Sequence, residues 1–236
     1  MRGTLYKNLF QYRLELIIFG IFQLISSVAL ITFAAGCKDY EVDNVPFLSV
    51  IICWCMFFMS TIFEHQLFMC DENRTISSFI ISTPNGAKGH VAGKYYTILL
   101  VNIAILVWYF WTDVIVCVVL GTTVYSMGAV LVILFSFNLI YSAYSNPFYL
   151  RFGVTFGNNM KFGVLGVAIF LIGLYLLFGD ISFLLGDDPV KKITEFLTGG
   201  MPMLILSLVP PFSVVLYYLS YRLSVAMYRK GVESYE

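Results

Sequence analysis

The sequence predicts an all-α integral membrane protein of six transmembrane helices, and three observations carry that prediction. The first is composition. Of 236 residues, 59% are hydrophobic and 12% are charged, against roughly 25% charged in an average soluble domain. Mean hydropathy is +0.84. A water-soluble fold of this size cannot hide so much apolar surface, so lipid must cover much of it. The second is the distribution of that apolar content into six runs, 14–35, 46–69, 95–120, 127–144, 162–179 and 201–227. Each is close to or above the roughly 20 residues that cross a bilayer, and a helix satisfies its backbone groups without water. The third is the placement of basic residues. With the N-terminus inside, Arg2, Lys7, Arg13, Arg74, Lys88, Lys94, Arg151, Lys161, Arg222, Arg229 and Lys230 are cytoplasmic. Only Lys38, Lys191 and Lys192 fall outside. This bias sets both termini on the cytoplasmic side. No repeat or flexible linker interrupts the series, so residues 1–236 form one transmembrane domain.

Residues 1–13 place Leu5, Leu9, Phe10 and Tyr12 among Lys7, Asn8, Gln11 and Arg13. That pattern suits a short interfacial helix before the first span, which begins near Leu14 and has no small-residue cleavage site after it. The longest inner segment, 70–94, starts with Asp71-Glu72-Asn73, residues that cap a helix and favour the positive end of its dipole. Ile76, Phe79 and Ile80 share one face, with Arg74 nearby, and Ser-Thr-Pro-Asn-Gly at 82–86 breaks the helix. A short amphipathic helix parallel to the membrane is expected between spans two and three. It serves either as a simple connection or as a docking surface for a cytoplasmic partner.

Span three carries Asp113 inside Trp108-Tyr109-Phe110-Trp111-Thr112-Asp113. A carboxylate in hydrocarbon is expensive and marks a pathway or gating function by default. Alternatively the span is shifted, Asp113 lies near the outer headgroups, and the aromatics form an interface belt. Residues 146–161 form an inner loop after span four. On the outer side, Pro189 opens a short helix through Leu197, ended by Gly199-Gly200, and Phe183, Leu184 and Leu185 suggest a re-entrant or capping segment. Gly163, Gly166 and Gly173 on span five permit close helix approach, within one subunit or against another. Pro210-Pro211 predicts a kink in the last span.

The absent chemistry is equally informative. No G-x-x-x-x-G-K-[ST] motif is present to cradle ATP phosphates, and no H-E-x-x-H or G-x-S-x-G occurs. Glu64-His65 is an isolated pair at a membrane edge and His90 lies in the following loop, so no metal site is expected. Cys37, Cys53, Cys55, Cys70 and Cys117 form no C-x-x-C pair and are expected as buried or lipid-facing thiols. The formal net charge is zero, which implies no nucleic-acid partner.

Four stretches resemble the type-2 ABC transporter permease family, small six-span subunits of bacterial exporters. Met1-Arg-Gly-Thr-Leu-Tyr-Lys-Asn-Leu-Phe resembles the family's basic interfacial opening. Asp71-Glu-Asn-Arg with Ser82-Thr-Pro-Asn and Gly93-Lys-Tyr-Tyr resembles its loop after span two, with Thr83 where leucine is common and Asn85-Gly86-Ala87 in place of a Val/Ser/Arg run. Asn146-Pro-Phe-Tyr-Leu-Arg-Phe-Gly153 is similar to its Pro-x-x-x-x-Phe-Gly loop, and Leu219-Ser-Tyr-Arg-Leu-Ser224 to its C-terminal Ser-x-x-Leu-Ser signature. The resemblance implies a bacterial plasma-membrane permease without catalytic or cofactor residues of its own. It implies a cytoplasmic ABC ATPase subunit holding the ATP and Mg²⁺, and a second permease copy or paralogue. It further implies that Glu72, Arg74, Ile76, Phe79 and Ile80 lie on the helix that couples to the ATPase. Export of a peptide or amphipathic compound is the leading expectation. The competing expectation is a transporter or scaffold subunit that works without an ATPase. Proton coupling would call for more buried carboxylates than Asp113 alone.

Overall fold

The computed structural model describes residues 10, 12–36, 44–69, 86–121, 127–178 and 200–233. The described residues form six helices and no strand. These are α1 (Arg13–Gly36), α2 (Asn44–Met69), α3 (Gly86–Leu120), α4 (Gly128–Phe152), α5 (Val154–Phe178) and α6 (Gly200–Glu233). Four of them contain stretches long and apolar enough to cross a membrane: Arg13–Gly36, Val50–Met69, Gly86–Val119 and Gly128–Phe152. The interfacial opening before Phe10, the segment 70–85 with Glu72, Arg74, Ile76, Phe79 and Ile80, and the outer segment 179–199 lie outside the described residues.

Helix α4 is the hub, packed against α2, α3, α5 and most extensively α6, while α1 packs on α2 and α3. Sequence spacing explains the hub. Asn138, Ser142, Asn146 and Tyr149 recur at helical intervals, and all are buried. One apolar cluster joins Leu30, Phe57, Leu67, Ile105, Tyr109 and Leu131, and a second joins Val91, Tyr95, Leu139 and Tyr217. The outward faces are the reverse of a soluble protein's. Ile17, Ile21, Phe22, Trp54, Phe58, Trp111 and Val118 are exposed, far more contiguous apolar surface than water tolerates. Among the cysteines, Cys53 is buried, Cys55 exposed and Cys117 between the two.

Two boundaries differ from the sequence expectation. Span three begins at Gly86 rather than 95, so Lys88, His90 and Lys94 stand on α3 and not in a loop. The helix has 35 residues, about 52 Å at 1.5 Å per residue, and overshoots the roughly 30 Å hydrocarbon layer. It extends because Ala87, Val91 and Ala92 supply a buried face that continues below the apolar run.

The second difference is the loop 146–161, which does not exist as a loop. Helix α4 continues through Pro147 to Phe152, and after Gly153 α5 starts at once. Proline in a helix interior removes one donor, here the amide that would bond the carbonyl of Ala143. Ser220 of α6 fills that vacancy, its hydroxyl donating to the Ala143 carbonyl at 2.6 Å. Helix α6 likewise runs on through Pro210-Pro211.

The α4–α5 corner depends on two glycines. Gly153 sits at φ 77°, a conformation that costs other residues. At Gly157 a Cβ would come within 2.8 Å of the Phe148 carbonyl oxygen. That neighbour is backbone and cannot swing away, so Gly157→Ala should destabilise the protein by about 1–3 kcal/mol. Thermal unfolding in detergent measures it, and an unchanged midpoint would contradict this corner.

Candidate functional site

The buried interior holds a seam of polar side chains running beside α4. At one end, Asn138 donates to Ser60 at 2.6 Å and also to Asn102. Asn102 in turn donates to the Ile98 carbonyl at 3.0 Å. One turn along, the Ser142 hydroxyl meets Glu64 Oε1 and lies 2.9 Å from the Asn138 carbonyl. Glu64 is 1% exposed and its Oε2 has no hydrogen-bond partner. Lys161, 2% exposed, donates to the hydroxyls of Tyr141 at 2.8 Å and Tyr149 at 2.6 Å.

Beyond Ser142 the seam crosses to α3 and α6. Tyr95 OH lies 2.8 Å from Ser220 Oγ and 2.7 Å from Ser224 Oγ. Counting protons fixes the directions. Ser220 spends its hydrogen on Ala143, so Tyr95 donates to Ser220, and Ser224 donates to Tyr95. Tyr217 adds a 2.7 Å bond to the Tyr95 carbonyl. Asn146 is fully buried beside Tyr95, and among the described residues neither polar atom of its amide closes a hydrogen bond of ordinary geometry.

The seam ends at the C-terminus of α2. The last four carbonyls of a helix have no partner within it. Lys94, 1% exposed, donates to the Leu67 carbonyl at 2.7 Å, with its ammonium 4.3 Å from the Phe68 ring centroid. Tyr12 OH approaches the Gln66 carbonyl at 3.3 Å and the Leu67 carbonyl at 3.5 Å. A cation here also complements the negative end of the helix dipole. Lys94 of α3 and Tyr12, just ahead of α1, thus hold the point from which the chain leaves for 70–85.

Asp113 lies elsewhere. Its Oδ2 accepts the Met127 amide at 3.0 Å, just ahead of α4, and among the described residues its Oδ1 has no hydrogen-bond partner. It lines a cavity of about 10 Å³ with Leu30, Cys53, Tyr109 and Leu131. His65 and His90 pack as rings against Tyr149 and Tyr228. Among the described residues no three His, Cys, Asp or Glu side chains gather around a metal position.

Hydropathy scanning missed Glu64, Lys94 and Lys161, because a charge near the end of an apolar run is assigned to the water side. A helical signal was present for the first. Cys53, Phe57, Ser60, Glu64 and Leu67 are spaced four, three, four and three apart, which puts Glu64 on the buried face of α2.

Three of the four stretches noted in the sequence meet in this seam: Gly93-Lys-Tyr-Tyr, Asn146-Pro and Ser220 to Ser224. No curated relative and no solved structure matches the chain. The family model described as ABC-2 family transporter protein matches residues 5–229. With nearly the whole chain matched, and with its long apolar helices, this protein belongs to the ABC-2 family of transporters as a transmembrane permease.

Proposed function

We propose that the chain is the permease subunit of an ATP-driven exporter in a bacterial plasma membrane. It works with a cytoplasmic ABC ATPase and a second permease copy or paralogue, both termini lie in the cytoplasm, and it moves a peptide or amphipathic compound outward. The observation that carries this reading is the double hold on the C-terminus of α2 by Lys94 and Tyr12. A push on the segment 70–85 would pass directly into α2, and through Lys94 and Tyr95 into α3, α4 and α6. The dimer is supported by α5. Every described side chain from Phe162 to Leu171 is exposed, and a Cβ at Gly163 or Gly166 meets nothing within 4 Å. These glycines therefore seat no described helix of this chain, which leaves the face open to another subunit. Asp113, with one oxygen unpartnered among the described residues, is the pathway or gating candidate.

The docking residues provide the test. Burying a phenylalanine is worth roughly 1.5–3 kcal/mol, and such an anchor often dominates its interface. Phe79→Ala should lower ATPase pull-down about tenfold or more while membrane insertion is retained. Arg74→Glu should lower it further, since it replaces attraction by repulsion. Unchanged pull-down and unchanged ATPase rate in both variants would remove the segment from the interface, and would favour a subunit that works without an ATPase.

A further inference from the structure

A groove runs between α3 and α6 over a floor made by α4, and it has two differently built chambers. The first, of about 230 Å³, is walled by Tyr96, Leu99, Val214, Tyr218 and Tyr221 with Leu139 beneath. The second, of about 320 Å³, continues from it past the shared Tyr218 and Tyr221 and is lined by Lys88, Arg222 and Ala226. Among the described residues no acidic side chain lines either chamber. Lys88 and Arg222 are exposed, and among the described residues neither forms an ion pair or hydrogen bond. Tyrosines stand where apolar wall gives way to basic wall, as amphipathic rings do at headgroup depth.

We propose that this groove holds one anionic phospholipid, an acyl chain lying along the tyrosine and leucine wall and the phosphate seated between Lys88 and Arg222. The apolar chamber alone would accept any lipid tail. The selectivity comes from the two cations, because a basic pocket at the end of an interhelical groove favours an anionic headgroup over a zwitterionic one. The basic bias that places Lys88 and Arg222 inside assigns this lipid to the cytoplasmic leaflet. Lipid binding needs the membrane and no ATPase, so the first three tests below are independent of the exporter reading, and only the fourth involves the ATPase, as a competitor for the groove.

Electron spin resonance with chain-labelled phosphatidylglycerol and phosphatidylcholine tests it on the full chain in phosphatidylcholine vesicles. The intact protein should immobilise phosphatidylglycerol about tenfold more strongly than phosphatidylcholine. Lys88→Gln with Arg222→Gln should erase that preference, and each single variant should erase part of it. Both side chains are exposed, so helix content by circular dichroism should not change. Leu99→Trp, which fills the apolar chamber, should weaken retention of both lipids. Four outcomes would overturn the proposal: no preference in the intact protein, a preference that survives the double variant, displacement of the lipid by millimolar inorganic phosphate, or exclusion of the lipid once the ATPase subunit binds. The third would make the site a free-anion site, and the fourth would make the groove part of a protein interface.

Discussion

Replacing Lys94 by methionine should leave the ATPase bound but idle. Methionine keeps most of the apolar stem and removes the ammonium, so the Phe68 face stays covered while the Leu67 carbonyl loses its 2.7 Å partner. That carbonyl then retains the longer 3.5 Å approach of Tyr12. Losing a charge-assisted hydrogen bond at a buried site costs about 1.5–3 kcal/mol, and the lost contact over the phenylalanine ring adds about 0.5–2 kcal/mol. The cost falls on the joint between α2, α3 and the departing segment 70–85. Substrate-stimulated ATP hydrolysis should therefore fall about tenfold, the equivalent of roughly 1.4 kcal/mol of coupling. ATPase pull-down should not change, since the proposed docking residues Phe79 and Arg74 are intact. This pattern is the opposite of the one expected for Phe79→Ala, where association is lost. If Lys94→Met also abolished pull-down, or left stimulation untouched, the α2 terminus would not be the transmitting joint.

The second large effect concerns Pro147 and Ser220. Ser220→Ala leaves the Ala143 carbonyl with neither a helical donor nor a hydroxyl, in a partly buried setting. An unpaired buried acceptor costs about 1–3 kcal/mol, though hydrogen bonds measured within membranes fall toward the lower end. Tyr95 keeps Ser224 as a partner, which limits the additional loss. Pro147→Ala returns an amide donor to the same carbonyl. The double variant Ser220→Ala with Pro147→Ala should hence recover about 1 kcal/mol relative to Ser220→Ala alone. A double-mutant cycle of unfolding in mixed micelles measures this coupling directly. Strict additivity would mean that Ser220 does not substitute for the missing backbone donor.

That pair also shows where the sequence was legible and where it was not. The six apolar runs correspond to the six described helices, because hydropathy is a local property that bilayer thickness turns into length. Residues 146–161 read as a loop for an equally local reason, since they fall between two apolar runs, and Pro147 within them ends a helix unless something supplies the missing bond. Here the supply comes from Ser220, 73 positions away, and nothing in the neighbourhood of Pro147 announces it. Gly153, at φ 77°, separates two helices directly. Lys94 and Lys161 illustrate the same limit. A lysine beside an apolar run is normally solvated, and only tertiary packing reveals that Lys94 turns onto a helix end and Lys161 onto two tyrosine hydroxyls. Glu64 was within reach of the sequence, since its spacing from Ser60 and Leu67 marks the buried face. Asp113, singled out because it is charged, stands outside the seam and bonds the amide that precedes α4.

The seam gives a physical reason for motifs that otherwise only suggest kinship. Lys94 and Tyr95, adjacent on α3, face different partners, one the end of α2 and the other the two serines of α6. A helix that carries both cannot shift without moving both contacts, which is what a transmitting element requires. The central claim is that an ATPase acts on this joint through the segment beginning at residue 70. A photoreactive phenylalanine analogue placed at position 79 tests it in native membranes. One dominant crosslinked product is expected, joining this chain to a protein that carries a G-x-x-x-x-G-K-[ST] motif. Crosslinks confined to lipid or to a second copy of this chain would contradict it.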